Sequence, residues 1–197
     1  MTTSPSDTLT RLMDVAQDLV QRRGLNAMSF QDLSEAVGIR KASVHYHFPS
    51  KDDMVVKLLA RYRERFAQSV QHILDSEHNG AEKFKRYAAL FAEPLREAPH
   101  DRGCLCGMLA AEMLTLNGPA ADAVLAFFAE NHGWIKRILD EGTQDGTLAV
   151  VGSSKSSAQF ILSSLEGALL IARTQGGLKH MQSATKTLLQ MFRPLGG

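Results

Sequence analysis

A chain of 197 residues, 44% hydrophobic and 22% charged, is long enough to enclose a full core, as one large domain or as a small domain joined to a larger one. Its formal net charge of +1 excludes no partner, because a nucleic-acid surface can be a local patch, whereas two cysteines one residue apart exclude a disulfide framework. Apolar runs fall short of the roughly 18 residues of a membrane span, and the start MTTSPSDTLTRL lacks the basic and apolar regions of a secretory signal; the expected location is the cytoplasm, without membrane contact.

In chain order, Leu9, Leu12, Met13, Ala16, Leu19 and Val20 recur at helical spacing and predict a helix over about 7–23 that Gly24 stops. Ser29 followed by Phe30-Gln31-Asp32 has the form of a capping box and predicts a second helix running to Val37 and ending at Gly38. A third, short helix is expected from Lys41 to His47, broken by Phe48-Pro49-Ser50. Ser50 caps a fourth whose first turn carries Asp52 and Asp53, favourable at the positive end of the helix dipole. Met54, Leu58, Tyr62, Phe66, Val70 and Ile73 carry that helix to about residue 77, where His78-Asn79-Gly80 breaks it. Further helices are predicted over about 81–98, 105–116, 119–144, 154–175 and 178–192. LAVV, within the connection DGTLAVVGSS, is too short and isolated to pair as a strand. The expectation is an all-α chain of about nine helices: a helix-turn-helix domain over 1–50 and a helical domain over 51–197, joined through the helix at 51–77.

The stretch GIRKASVHYHFPSK holds cations, histidines and a tyrosine but no acid and no leucine. Two short helices around a glycine turn form the unit that places its second helix in the major groove of DNA. Arg40 and Lys41 then reach guanine acceptors or phosphates, Ala42 and Ser43 let the backbone approach, and His45, Tyr46 and His47 donate to bases or phosphates. Val44 and Phe48 turn inward. Lys51 offers a phosphate contact at the start of the fourth helix, and Ser29 completes the expected DNA-contacting set. His45 and His47, two apart on a helix, point in nearly opposite directions and are not expected to share a metal.

The run GIRKASVHYHFPSKDDM, preceded by SFQDLSEAVG, resembles the N-terminal domain of the TetR/AcrR family of bacterial transcriptional regulators, whose signature ends in aromatic-x-H-F-x-x-K. Here His45 stands at the first aromatic position, with Tyr46 beside it. GCLxxxLxxE at Gly103 to Glu112 is similar to the branch of that family containing the nem-operon and acrylate-utilisation repressors. The resemblance implies a homodimer on a double-stranded operator and a C-terminal domain that binds a small-molecule effector; separately, no cofactor and no metal are expected.

Within that domain Tyr87, Phe91, Met108, Phe127, Phe128 and Trp134 are candidates to line an apolar cavity, or are ordinary core. Cys104 takes the cysteine position of the GCLxxxLxxE pattern near a helix start, where a thiolate is favoured; Cys104 and Cys106 are either a redox or electrophile sensor or a pair of small buried hydrophobes. Glu112, Glu166 and Arg173 lie on apolar helices, and each either satisfies a buried partner or faces solvent. The segment 154–175 is apolar or small nearly all round, so its second covering is expected from another subunit, through Ile161, Leu165, Ala168 and Leu169 together with Leu188 and Phe192. A helical enzyme or ligand carrier built on the C-terminal pocket and Cys104 is the alternative. Cys104 and His132 have the residue types of a nucleophile pair, but no nucleophile elbow, phosphate loop or zinc motif accompanies them, so no enzyme is expected.

Overall fold

The computed structural model of the chain describes residues 5–97 and 100–194. Among them are nine α-helices and no strand: α1 (Pro5–Arg23), α2 (Phe30–Val37), α3 (Lys41–His47), α4 (Lys51–Leu74), α5 (Gly80–Leu90), α6 (Leu105–Ala111), α7 (Gly118–Gln144), α8 (Ser154–Ala172) and α9 (Gly177–Met191). The all-α expectation holds, and α2 and α3 fall on the residues their caps and breakers mark. None of the helices, among the described residues, is long and apolar enough to cross a membrane.

Two expected helices are shorter than their apolar patterns. The segment predicted over 81–98 stops as an α-helix at Leu90 and continues as a single 3-10 turn, Glu93–Leu95. Pro94 has no N–H to give the Leu90 carbonyl, so the ladder ends there; the expected terminus at Ala98 lies outside the described residues. The segment predicted over 105–116 likewise ends at Ala111 and passes into a 3-10 turn, Met113–Thr115, with Glu112 at φ −109° and ψ 18° between them.

The chain forms two compact units, one of Met1–Glu64 with Leu105–Leu125, the other of Arg65–Cys104 with Ala126–Gly197. In the first, α1 packs on α2 and on α6, and α2 packs on α3. Leu12, Ala16, Val20, Leu33, Val44, Phe48, Leu58 and Leu59 are fully buried there, and the Arg61 guanidinium ties α4 to α1 by donating to Asp14 Oδ1 at 2.8 Å. In the second, α9 packs on both α8 and α5. α5 begins against the end of α7 so closely that a Cβ on Gly80 would lie 2.1 Å from the Gly142 Cα. Asp145 and Thr147 accept from the Gly80 and Ala81 N–H groups at 2.7 and 3.1 Å and so satisfy two donors of the first turn of α5. LAVV forms no strand; the Ala149 N–H instead donates to the Phe192 carbonyl at 2.7 Å and seals the end of α9.

Candidate nucleic-acid interface

Local chemistry sets the angle between α2 and α3. Ser29 caps α2 through the Asp32 N–H at 3.2 Å while the Asp32 carboxylate accepts from the Ser29 N–H at 2.7 Å, a reciprocal capping box. The Ser29 hydroxyl also donates to the Asp32 carboxylate at 2.6 Å, and this bond first and the Ser29 N–H second hold the Asp32 carboxyl below the usual aspartate range. At the other end Gly38 sits at φ 75° and ψ 37°, and the N–H groups of Gly38 and Ile39 both donate to the Ser34 carbonyl, at 2.9 and 3.0 Å. A Cβ on Gly38 would meet nothing within 4 Å, so conformation rather than crowding demands glycine there.

α3 is anchored from inside by Val44 and Phe48, both fully buried. The Phe30 ring lies 5.0 Å from the His45 ring and 6.5 Å from that of Phe48. Arg40, Lys41, Ala42, Ser43, His45 and Tyr46 all face solvent, Tyr46 with 82% of its surface exposed, and His47 is half-buried. An exposed tyrosine in a row with two cations and a histidine is a surface able to donate to phosphates and base edges. Six of the nine expected DNA-contacting residues, Lys41 to Ser43 and His45 to His47, thus share one short element, and Arg40 stands at its N-cap.

The other two are engaged elsewhere. Ser29 is the cap of α2. Lys51, expected to hold phosphate, donates its ammonium to the Leu25 carbonyl at 3.0 Å. A cation outside the motif takes a position beside α3: Lys57, exposed on α4, donates to the His47 carbonyl at 3.0 Å and lies 5.5 Å over the Phe48 ring. The signal that could have found it is its place ten residues after His47, near enough to reach back to the end of α3.

The turn before α2 is held by a residue far along the chain. Glu112 accepts from the Leu25 N–H at 2.7 Å and from the Asn26 N–H at 3.2 Å, and the Asn26 side-chain amide donates to Thr115 Oγ1 at 3.0 Å. Leu25 is therefore clamped at both ends of its backbone, by Glu112 on N–H and by Lys51 on C=O. Gly24, at φ 85°, leaves the room this needs: a Cβ there would lie 2.5 Å from Glu112 Oε1.

The second unit gathers most of the expected ligand residues around Phe66 of α4. Phe66 has Tyr87, Phe91, Phe127 and Trp134 around it, with ring centroids 6.4, 5.8, 5.3 and 6.2 Å away. Phe128 stacks edge-on against Phe127 at 5.5 Å. Met108 belongs to the Leu105–Leu125 segment of the first unit. The buried Tyr87 hydroxyl donates to Asn131 Oδ1 at 2.5 Å, and the Asn131 amide donates to the Phe127 carbonyl at 2.7 Å; burial first, then the Glu166 charge, pushes the Tyr87 phenol well up. Glu166 is half-buried as a residue, while its Oε1 is buried with no hydrogen-bond partner. Burial raises its carboxyl to about 7, against a hydrogen bond with Cys104 that lowers it. Cys104 and Cys106 are both buried. Arg173 donates from Nε to the Asp101 carbonyl at 2.7 Å. No group of three or more metal-ligating side chains occurs among the described residues.

Most residues of the expected subunit contact are covered by their own chain. Ile161, Leu165, Leu169, Leu188 and Phe192 are buried within their own chain, and Ala168 is half-buried. The apolar groups that α8 and α9 leave uncovered are Phe160 (49% exposed), Leu170 (57%), Ile171 (44%) and Met191 (58%). Periodicity locates both apolar faces of such a helix; only packing tells which of them the chain covers itself.

Residues 12–58 match the family model for bacterial regulatory proteins of the tetR family, and residues 80–188 match that of the tetracyclin repressor-like C-terminal domain. The HTH-type transcriptional repressor KstR2 of Rhodococcus jostii is 33% identical over 75 residues, 38% of this chain and 37% of the repressor, so the match spans well under half of that relative's length. A TetR-family regulator from Agrobacterium tumefaciens superposes with a TM-score of 0.90 at 28% identity, over 97% of this chain and 100% of that one. The reduced form of NemR from Escherichia coli has the same fold, with a TM-score of 0.81 at 22% identity over 96% and 100% of the two chains.

Proposed function

Because the chain belongs to the tetR family of bacterial regulatory proteins, we propose that it is a homodimeric repressor that occupies a pseudo-palindromic operator and leaves it when an effector enters the second unit. The observation that carries this reading is α3: seven residues anchored by Val44 and Phe48, with Lys41, Ala42, Ser43, His45 and Tyr46 turned to solvent behind Arg40. Two such helices in a dimer must meet successive major-groove faces about 34 to 36 Å apart. The uncharged stripe of Phe160, Gly167, Leu170 and Ile171 on α8, continued on α9 by Ala184, Thr187 and Met191, favours pairing with its own copy in a four-helix interface.

Effector response is favoured by the ring cluster around Phe66 and by Glu166, whose buried Oε1 has a vacant acceptor position for a ligand N–H or O–H. An effector that prefers a wider spacing of the two α3 helices weakens operator binding, typically by about 1 to 3 kcal/mol, and DNA weakens the effector by the same factor. Release by Cys104 modification has less support, because the thiol is 5% exposed and meets a carboxyl. Equal responses of Cys104→Ser and wild type to alkylating and oxidising agents remove that route.

The test is footprinting on the DNA upstream of its own coding region, with affinity followed against salt. Protection of two half-sites one helical turn apart, and affinity falling steeply with ionic strength, is the expected result. Failure to bind any duplex at low ionic strength rejects the reading and leaves the ligand-carrier alternative.

A further inference from the structure

On the side of α9 that faces α5, the second unit carries a groove of about 460 Å³, within the size range of small-molecule sites. Its floor is apolar: Met181 and Ala92 are buried beneath it, and Leu178 and Leu189 form its wall. Its rim is cationic. Lys85, Arg96 and Lys186 line it, with no acid among its lining residues. Glu82 and Glu93, which pair with Lys85 at 3.5 Å and with Arg96 at 2.9 Å, are not part of the lining.

We propose that this groove is a ligand site separate from the Phe66 cluster, and that it takes a medium-chain carboxylate, with the alkyl tail along Met181 and the carboxylate at the Lys85–Arg96–Lys186 rim. A neutral amphiphile gains the same apolar floor but no attraction at the rim, and a cationic one meets like charge there, although Glu82 and Glu93 offset part of it. An anion gains both the floor and the exposed cations and keeps its own head in water. The floor, in turn, separates such a ligand from a simple surface anion, which gains nothing from buried methionine and alanine. The groove shares no lining residue with the face proposed for pairing. It and the uncovered α8–α9 face draw on different residues of α9, Leu178, Met181, Thr185 and Lys186 on one side and His180, Ala184, Thr187 and Met191 on the other.

The test uses the full chain with methyl-labelled methionine, titrated with decanoate below its micelle concentration and, in parallel, with 1-decanol and decyltrimethylammonium. A saturable shift of the Met181 methyl resonance is expected with decanoate. Ala89→Trp, at an exposed lining position, is expected to abolish it. Lys186→Glu, also exposed, is expected to weaken it by roughly two- to fivefold. Unchanged operator affinity of both variants shows that they are folded and keeps this outcome apart from that of the proposed function. A decanoate response that survives Ala89→Trp overturns the location. Binding of decanol as tight as that of decanoate, or no loss in Lys186→Glu, overturns the carboxylate assignment.

Discussion

Glu112 holds the first unit's entry turn with one carboxylate on two N–H donors, those of Leu25 and Asn26. Replacing it by alanine leaves the part-buried Leu25 donor without its partner, and loss of such a bond costs about 1 to 3 kcal/mol. Glu112→Ala is expected to lower stability by that amount in urea denaturation, and an unchanged midpoint contradicts the clamp. Glu166 acts in the opposite sense. Its carboxyl, at about 7 in the folded state against an ordinary 4.5, binds its proton more tightly folded than unfolded. Its contribution is therefore neutral below about pH 4.5, becomes a growing penalty as pH rises from there towards 7 and stays a constant penalty above that. Glu166→Gln is expected to stabilise the protein at pH 8 by on the order of 2 to 3 kcal/mol and to make little difference near pH 4. Equal changes at both pH values would show that the carboxyl is not raised.

Among the elements, α3 and the start of α4 present their cations differently from the arrangement suggested by composition alone. Lys41 and Ser43 face outward on α3, so Lys41→Ala or Ser43→Ala is expected to change preference at particular base pairs, by about 1 to 3 kcal/mol each, in competition assays with altered operators. Lys57, exposed beside the end of α3, is the cation expected to act on all sequences alike; Lys57→Ala should reduce the salt slope by about one. Lys51, committed to the Leu25 carbonyl, is expected instead to affect folding, with Lys51→Ala lowering the melting temperature and leaving the salt slope unchanged. A reduced slope in Lys51→Ala without loss of stability returns it to the phosphate contacts.

For the whole molecule, the proposed subunit pairing rests on which face of α8 is left open. Phe160→Asp and Ile171→Asp, on the uncovered stripe, are expected to give folded monomers with weakened operator binding in sedimentation and binding assays. Ile161→Asp, at a site with no exposure, is expected to unfold the second unit, because it buries a charge without a partner. Dimers that persist in both Phe160→Asp and Ile171→Asp reject the α8–α9 interface.

Helix order, the span of α2 and α3 and the character of the α3 surface were legible in the residues themselves, because a capping serine, a left-handed glycine and a proline act within a few positions of where they stand. Pro94 carried such a signal too, and the apolar pattern around it masked the end of α5. Other features required the tertiary structure. Glu112 meets a turn 87 residues away, Lys51 spends its ammonium on a carbonyl 26 residues back, and Phe66 becomes the centre of a ring cluster rather than one more residue along α4. The apolar run of α8 showed that two faces need covering, but whether Ile161 or Phe160 meets the chain's own core depends on the rotation of the helix against its neighbours. That rotation is set by packing volume, which local sequence does not encode.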